Sequence, residues 1–225
     1  MHTDHFVRFA RPALRIAVIL AHGDLTVTPA IEDLVRQADL IVAADGGVLH
    51  ALAHGWQPHL LVGDLDSTPP EVRRQVEERG TRVLQYSPYK DETDTELALR
   101  AALAEGANEI YLLGVIGDRL DHSLANILLL ALPETAQVRV MILAGRQRIL
   151  AIRGQAELEG REGDLVSLLP IGGDVTGIWT TGLGYPLRGE TLPFGTPRGV
   201  SNFFTAPKAT VRVGSGILLA IITPL

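Results

Sequence analysis

The chain of 225 residues contains no cysteine. This absence excludes a disulfide framework, a thiolate zinc site, an iron–sulfur cluster and a cysteine nucleophile, so any catalysis must come from oxygen and nitrogen groups. Lysine is scarce too, because only Lys90 and Lys208 stand among the 20 basic residues. The 26 acidic residues bring the formal net charge to −6, and no segment has the density of basic residues that binds nucleic acid. We therefore expect no nucleic-acid partner.

Long apolar runs are also absent. The first run, residues 16–21, and the last, residues 217–222, have the length of a strand and are too short for a signal-peptide core or a membrane span. We therefore expect a soluble, cytoplasmic protein with no membrane partner, which agrees with the lack of cysteine. The hydrophobic content of 46% is sufficient, at this length, to build a core without cross-links.

Familiar phosphate-binding and hydrolase motifs are missing as well. The sequence has no G-x-x-x-x-G-K-[ST] loop, no G-x-G-x-x-G after the first apolar run and no G-x-S-x-G elbow. His50 and His54 have the spacing of zinc ligands on a helix, but the glutamate of a zinc protease is absent. We interpret the two histidines as one face of a helix.

Up to about residue 144, six short apolar runs alternate with five amphipathic segments, a pattern typical of a mostly parallel sheet covered by helices. The predicted strands are residues 16–21, 40–44, 60–62, 81–84, 109–113 and 138–143. The predicted helices are residues 29–37, 47–54, 70–79, 93–104 and 124–132. This pattern predicts a three-layer α/β domain over residues 1–144.

The remainder, residues 145–225, consists of short apolar runs separated by glycine and proline, with no helical period sustained for two turns. The predicted strands are residues 148–152, 165–169, 175–180, 209–213 and 217–223. We predict an antiparallel β-sandwich over residues 145–225. Charge divides at the same point: 12 basic and 20 acidic residues give the first part a net charge of −8, whereas 8 and 6 give the second +2.

Carboxylates follow two of the predicted parallel strands. Asp45, with Gly46 and Gly47, ends one strand, and Asp64 and Asp66 end the next. In an open α/β sheet, ligands bind at the carboxyl ends of the strands. We expect the spacing of two to place Asp64 and Asp66 on one side of an extended segment, where hard oxygen donors suit Mg²⁺ together with phosphate oxygens. The structural alternatives are a simple turn at Asp45 and a helix-capping role for one of the later carboxylates.

A third acidic segment follows the fourth predicted strand. Thr93 and Glu96 have the pattern of a capping box, and Asp94 in the first turn suits the positive end of the helix dipole. This structural explanation does not account for Lys90 and Asp91. A lysine beside an acidic strand end, in a chain with only two lysines, indicates a point charge that meets a phosphate group.

The fifth predicted strand leads through a loop containing glycine to Arg119, Asp121, His122 and Asn126. We expect the last helix of this part to begin near Asp121, so that free N–H groups and a guanidinium group are available to a phosphate. His122 and Asn126 are four residues apart on one face. The opposite, buried face is expected to contain Leu124, Ile127, Leu128 and Ala131. The alternatives are a plain N-cap at Asp121 and a structural histidine.

Taken together, these segments resemble the thiamine pyrophosphokinase family. The resemblance is carried by A-D-G-G at 44–47, G-D-L-D-S at 63–67, K-D-x-T-D-x-E-L-A at 90–98, G-x-R-x-D-H-x-x-A-N at 117–126, T-G-L-G-Y-P-L at 181–187 and S-N at 201–202. Six short motifs in register are far more specific than one.

The resemblance implies an ATP:thiamine pyrophosphotransferase that forms thiamine diphosphate and AMP with Mg²⁺ as cofactor. It also implies a homodimer whose active sites lie between the α/β domain of one subunit and the sandwich of the other. The implied Mg²⁺ ligands are Asp64, Asp66 and Asp94. The implied catalytic residues are these three together with Lys90 and Asp91. The implied ATP-site residues are Asp45, Lys90, Asp91, Arg119, Asp121, His122 and Asn126. The implied thiamine contacts are Tyr185, Ser201 and Asn202.

Three alternatives stay open from the residues alone. The segment Asp64-x-Asp66-x-Thr68 also resembles the nucleophile segment of haloacid-dehalogenase-type phosphatases, with Asp64 as the nucleophile, although two strand–helix units precede it here. A pyrophosphokinase that acts on another alcohol, such as a hydroxymethylpterin, would use the same phosphate chemistry. A nucleotide-sensing module would bind Mg·ATP without turnover.

Overall fold

The computed structural model describes residues 15–225. Residues 1–14, on which the expectation about an export signal partly rests, lie outside the described residues. The helices are α1 (Pro29–Gln37), α2 (Gly47–Ala53), α3 (Pro70–Glu78), α4 (Asp94–Ala104) and α5 (Leu120–Leu128), and two 3₁₀ turns follow at Leu129–Ala131 and Pro133–Thr135. Within residues 15–225, no helix is both long enough and apolar enough to span a membrane.

Six parallel strands form the first part of the sheet, in the order β4-β3-β2-β1-β5-β6. They are β1 (Ile16–Leu20), β2 (Leu40–Ala44), β3 (Leu60–Gly63), β4 (Arg82–Gln85), β5 (Glu109–Leu113) and β6 (Arg139–Ala144). From β1 to β4, each new strand is added on one side of β1. The chain then returns and places β5 on the other side of β1. This reversal of direction is the place where doubly wound sheets bind their ligands.

The sheet is covered on both faces, as strands with apolar side chains on both faces require. Ile31 of α1 and Ala51 of α2 pack in a cluster with Val18 and Leu20 of β1. On the opposite face, Leu99 of α4 packs in a larger cluster that includes other side chains of the same strands. Alternate side chains of β1 therefore belong to two separate core layers, one on each face of the sheet. The predicted three-layer α/β arrangement is confirmed.

The second part of the chain is antiparallel. Its strands are β7 (Gln147–Ile152), β8 (Gln155–Glu159), β9 (Leu165–Thr181), β10 (Arg188–Leu192), β11 (Asn202–Phe203), β12 (Lys208–Arg212) and β13 (Ser215–Thr223). Strand β7 pairs antiparallel with β6, so the sheet continues from the first part into the second. A separate apolar cluster around Phe204, Val166 and Val211 fills the space between the two layers of this part. The predicted α/β plus β-sandwich fold is confirmed.

Strand β9 differs from the two short strands predicted for residues 165–169 and 175–180. The chain continues as one strand of 17 residues. Its first half pairs with β13 and β11, and its second half pairs with β10 and β12. Gly172 and Gly177 have φ values of +75° and +64°, which side chains other than glycine adopt at a cost. These glycines let the strand bend from one layer to the other without ending.

Helix α5 begins at Leu120, near Asp121 as expected, but its N-cap residue and its buried face differ from the prediction. Arg119, and not Asp121, is its N-cap residue. Leu124 and Leu128, expected in the buried face, are 54% and 47% exposed, whereas Ser123 and Asn126 are buried. The prediction is wrong because this helix turns its polar side chains toward the loop after β5, where their hydrogen bonds are satisfied, and leaves leucines at the surface.

Candidate active site

An acidic cluster lies at the carboxyl ends of β2 and β3. One carboxylate oxygen each from Asp45, Asp64 and Asp66 lie within 4.8 Å of one another. They meet because β2 and β3 are neighbouring parallel strands, so that their ends share one edge of the sheet. The structure thus brings these three predicted residues together.

The local reason for this convergence differs from the expected one. Strand β3 ends at Gly63, and Leu65 has a φ of +67°, so residues 64–66 form a turn and not an extended segment. The backbone of Asp45 also has a left-handed conformation, with a φ of +42°. Such conformations persist only where surrounding contacts hold them, and they concentrate at functional sites. Leu65 is buried in the same apolar cluster as Val76 of α3, which keeps the turn against the core.

Lys90 joins the acidic cluster as its cation. Its Nζ atom lies 2.8 Å from Oδ2 of Asp64 and 3.0 Å from Oδ1 of Asp94. Burial disfavours the ammonium charge, but the bonds with the two carboxylates outweigh this effect and raise the pKa of Lys90. The hydrogen bond from Lys90 lowers the pKa of Asp64 below its ordinary value of 3.8. Both groups are therefore charged at neutral pH.

Asp94 opens α4 beside the cluster. Thr93 is the N-cap residue, and its Oγ1 accepts a hydrogen bond of 3.2 Å from the backbone N–H of Glu96, as the capping pattern predicts. Burial raises the pKa of Asp94, and the bond with Lys90 opposes that rise. The carboxylate is packed so closely against the end of β3 that a Cβ at Gly63 would lie 2.9 Å from it. Asp94 thus contacts the cluster through Lys90, and its oxygen atoms are not part of the three-residue group.

A cavity of about 670 Å³ opens in front of this cluster. Its lining includes the predicted residues Asp45, Asp64, Asp66, Lys90, Asp94, Arg119, His122 and Asn126. Two of the residues implied for the ATP site, Asp91 and Asp121, are not part of this lining. Asp91 is exposed, and Asp121 turns outward to bind Arg119 at 2.6 Å, which lowers the pKa of Asp121 to about 2.

The loop after β5 is held by the first turns of α5. The Nδ2 atom of Asn126 donates a hydrogen bond of 2.8 Å to the carbonyl of Val115, and the backbone N–H of Gly117 donates to Oγ of Ser123 at 3.0 Å. Asn126 is therefore occupied by the protein's own backbone. His122 lies on the exposed side of the same turn and faces the cavity.

The loop after β1 completes the cavity and was missed from the sequence. His22 and Gly23 line it, and the backbone N–H of Gly23 donates to the carbonyl of Gly114 at 2.6 Å. His50 of α2 fixes the same loop, because its Nε2 atom lies 2.8 Å from the carbonyl oxygen of Gly23. A Cβ at Gly23 would lie 2.5 Å from the carbonyl oxygen of Ile116, so only glycine fits between the two loops. The available signal was the position of residues 22–24 directly after a buried strand.

The donor set of the acidic cluster fits a magnesium ion. Mg²⁺ takes hard oxygen ligands and is usually held by one or two carboxylates plus phosphate oxygens and water. Both oxygens of Asp45 already accept hydrogen bonds, from the backbone N–H of Ser67 and from the hydroxyl of Thr68. Asp66 is exposed, and Asp64 faces the cavity beside it. Asp64 and Asp66 are therefore the side chains best placed to hold the ion.

The three residues implied for thiamine lie in the second part of the chain, away from this cavity lining. Asn202 is buried, and its side chain holds the backbone of Tyr185 in both directions: the N–H of Tyr185 donates to Oδ1 at 2.9 Å, and Nδ2 donates to the carbonyl of Tyr185 at 2.8 Å. Tyr185 is 66% exposed, and its ring meets that of Phe203 edge to face. Ser201 has a φ of +61°, the third left-handed residue other than glycine in residues 15–225. The structure therefore brings these three residues together.

Family models match both parts of the chain. The catalytic domain of thiamin pyrophosphokinase matches residues 31–142, and its vitamin B1 binding domain matches residues 152–218. A thiamine pyrophosphokinase of Bacillus subtilis is 28% identical over 205 residues, which cover 90% of this chain and 96% of that protein. Thiamin pyrophosphokinase 1 of Caenorhabditis elegans is 26% identical over 218 residues, covering 90% of this chain and 87% of the relative.

Solved structures agree with these matches. A crystal structure of thiamine pyrophosphokinase from Bacillus subtilis superposes with a TM-score of 0.82 at 27% identity, covering 93% of this chain and 99% of that one. The yeast enzyme, at 16% identity, shares the fold with a TM-score of 0.79 over 95% of this chain and 87% of its own. The two family models together span most of the sequence, and the resemblance inferred from the motifs is confirmed: the chain belongs to the thiamin pyrophosphokinase family.

Proposed function

We propose that this protein transfers the pyrophosphoryl group of ATP to the hydroxyl group of thiamine, forming thiamine diphosphate and AMP. The observation that carries the proposal is the meeting of Asp64, Asp66 and Lys90 in one cavity at the strand ends, inside the segment that matches the family's catalytic domain. In this reaction the thiamine oxygen forms a bond to the β-phosphorus, and the bond from that phosphorus to the oxygen of the α-phosphate breaks. The hydroxyl proton leaves, and AMP keeps the bridging oxygen.

In this reaction, the residues of this chain position the phosphates and neutralise their charge. Lys90 supplies a fixed ammonium group, and Arg119 at the start of α5, which also lines the cavity, supplies a guanidinium group. Asp64 and Asp66 would hold Mg²⁺, which when bound supplies further positive charge to the transferred phosphates. The nearby His22, His122 and Asn126 line the space left for the nucleotide.

Tyr185 supports thiamine as the acceptor alcohol. Thiamine carries a permanent positive charge, and an exposed aromatic face attracts cations and stacks on heteroaromatic rings. The buried side-chain amide of Asn202 holds the backbone of Tyr185. Ser201, which directly precedes Asn202, has a left-handed backbone conformation. The segment lies in the region that matches the vitamin B1 binding domain. We accordingly propose residues 1–144 as the ATP- and Mg²⁺-binding domain and residues 145–225 as the thiamine-binding domain.

The division of the site between these two parts supports the proposal of a homodimer. The described residues that line the ATP cavity all fall between residues 21 and 126, whereas Tyr185 lies in the other part of the chain. Leu120, Leu124 and Leu128 form an exposed apolar stripe on α5, beside His122. An exposed apolar surface of this kind marks an interaction site. We propose that the sandwich of a second copy covers this stripe and brings its own Tyr185 to the cavity.

The first experiment is product analysis with purified protein, Mg·ATP and either thiamine, a hydroxymethylpterin or no acceptor. Thiamine-dependent formation of AMP and thiamine diphosphate in equal amounts is the expected result. Transfer to the pterin alone would identify another acceptor, and release of inorganic phosphate without AMP would support a phosphatase with Asp64 as nucleophile. Binding of ATP with no product from any acceptor would support a sensing role.

The shared site has its own test, which uses mixing of two defective variants. Asp64→Asn damages only the ATP cavity and Tyr185→Ala only the thiamine surface. After subunit exchange, each mixed dimer contains one site with both defects and one intact site, so about a quarter of the wild-type activity should return at low thiamine concentration. No recovery in a mixture that has formed mixed dimers would contradict a site built from two subunits. Leu124→Asp should give a folded monomer in light-scattering measurements.

A further inference from the structure

Thr68 is a polar side chain buried in front of α3, with 6% of its surface exposed. Its Oγ1 atom donates a hydrogen bond of 2.9 Å to Oδ1 of Asp45, which lies 23 residues earlier in the chain. Helix α3 has Pro69 as its N-cap residue and no side-chain capping bond. The hydroxyl of Thr68 therefore does not cap the helix, and within residues 15–225 its one side-chain hydrogen-bond partner is the carboxylate of Asp45 at the end of β2.

Asp45, at the end of β2, is hydrogen-bonded to the segment that follows β3, and we call this set of bonds the brace. Its second oxygen, Oδ2, accepts a hydrogen bond of 3.1 Å from the backbone N–H of Ser67, and its own N–H donates to the carbonyl of Val62 at 2.9 Å. Asp45 is buried, with 7% of its surface exposed. A buried carboxylate needs such donors, because an unpaired one would lose its solvation without compensation. The side chain is thus committed to residues 67 and 68.

The segment that this brace holds is the turn that carries the proposed metal ligands. Residues 64–68 belong to no helix or strand, and Leu65 within them is left-handed. A turn of this kind keeps one conformation only when contacts at both of its ends determine it. Strand β3 fixes the first end, and the bonds from Ser67 and Thr68 to Asp45 fix the other.

We propose that Thr68 is a positioning residue for the metal site: through Asp45 it holds the turn in which the carboxylates of Asp64 and Asp66 converge. The inference rests on the proposed function, since it assigns Asp64 and Asp66 as ligands of the divalent cation. It gives Asp45 the task of organising these ligands. Residues that orient metal ligands in this way change metal affinity or activity by about 10- to 100-fold when they are replaced.

The test is Thr68→Val, which removes the hydroxyl and keeps nearly the same shape. Mn²⁺ binding to the purified, nucleotide-free protein, measured by electron paramagnetic resonance, should weaken by about 10-fold or more. The Mg²⁺ concentration needed for half-maximal turnover should rise by a similar factor, and kcat should recover at high Mg²⁺. Thr68→Ser keeps the hydroxyl and should bind Mn²⁺ like the wild type.

Thr81→Val is the matched control. Thr81 is also buried, and its hydroxyl donates a hydrogen bond of 2.7 Å to the carbonyl of Pro58, at the amino ends of the strands and away from the cavity. This variant should lose stability without any change in Mn²⁺ affinity. If Thr68→Val does not fold, Thr68→Ala replaces it, because alanine lacks the γ-methyl group that valine would place against the carboxylate of Asp45.

Wild-type Mn²⁺ affinity in a folded Thr68 variant that lacks the hydroxyl would overturn the proposal. Equal weakening in the Thr68 and Thr81 variants would also overturn it, because the loss would then reflect general stability. A wild-type protein that binds Mn²⁺ but forms no thiamine diphosphate would instead contradict the proposed function, and the affinity comparison would still decide the role of Thr68.

Discussion

The ammonium nitrogen of Lys90 lies 2.8 Å from a carboxylate oxygen of Asp64, across 26 residues of chain. The contact joins the loop after β4 to the turn after β3, and it places a positive charge among carboxylates that would otherwise repel one another. Both side chains are largely buried, with 12% and 15% of their surfaces exposed. Because the groups are already ordered, the site needs little rearrangement when a phosphate arrives.

Replacement of Lys90 by methionine should lower kcat by about 10²- to 10³-fold, because a preorganised positive group at the phosphates is lost. The chain offers one matched control, since Lys208 is its only other lysine. Lys208 pairs with Glu157 on the exposed face of β12, so Lys208→Met should retain wild-type turnover. Steady-state kinetics of both variants checks the prediction, and equal effects would contradict it.

The pH dependence of stability should reveal the same ion pair. Lys90 lowers the pKa of Asp64 below 3.8, so the stabilisation is complete above that pH and disappears as the pH falls through the depressed folded value. Burial raises the pKa of Asp94. Protonation of Asp94 on acidification therefore also removes its bond with Lys90. The stability difference between wild type and Lys90→Met should therefore shrink from about pH 7 to about pH 3 in urea unfolding. A difference that grows on acidification would refute this interpretation.

Asp64→Asn and Asp66→Asn should each reduce turnover by about 10³-fold or more, since the cation that neutralises the phosphates loses a charged ligand. The fold should survive, because both residues lie in a turn at the cavity edge. Asp33→Asn, at an exposed position of α1 that pairs with Arg36, is the control. Near-normal turnover in either of the first two variants, with native circular dichroism, would remove the basis for the metal site.

His50→Leu should raise the KM for ATP about fivefold, because the carbonyl of Gly23 loses a hydrogen bond of about 1 kcal/mol that fixes the loop after β1. His54 lies one helical turn after His50 and stacks on Trp56. His54→Leu should therefore leave the KM for ATP unchanged. Kinetics at varied ATP concentration separates the two variants, and an identical response would show that the bond to Gly23 is unimportant.

Asn202→Leu should raise the KM for thiamine while the KM for ATP stays constant. Leucine fits the buried volume but leaves the N–H and carbonyl groups of Tyr185 without their partner, each at a cost of about 1–3 kcal/mol. The ring of Tyr185 would lose its fixed position. ATP affinity is the internal control, because the cavity lies in the other part of the chain. A larger effect on ATP than on thiamine would contradict the assignment.

Much of the α/β part could be predicted because its local signals agree with its tertiary structure. Strands β2 and β5 and helix α1 have the predicted bounds. The two strands are largely buried, which gives continuous apolar runs, and α1 has a proline in its first turn and a threonine cap at Thr28. The acidic residues at the strand ends follow from the general rule for parallel sheets.

The remaining features depend on contacts between distant segments. The exposed leucines of α5 cannot be recognised from periodicity, because an apolar stripe has the same pattern whether it faces the core or another surface. The bond from Thr68 to Asp45 joins two strand ends, and neither residue alone indicates it. Strands β8 and β10 were missed because they carry mostly polar or exposed residues and gain their order from pairing with β12 and β9.

The antiparallel pairing of β6 with β7 has a mechanical consequence. Four consecutive residue pairs, from Met141 with Leu150 to Ala144 with Gln147, carry the sheet from the first part of the chain into the second. A swinging motion of one part against the other would break these hydrogen bonds, so the connection cannot act as a hinge. Substrate entry and product release are therefore expected to depend on the loops at the strand ends.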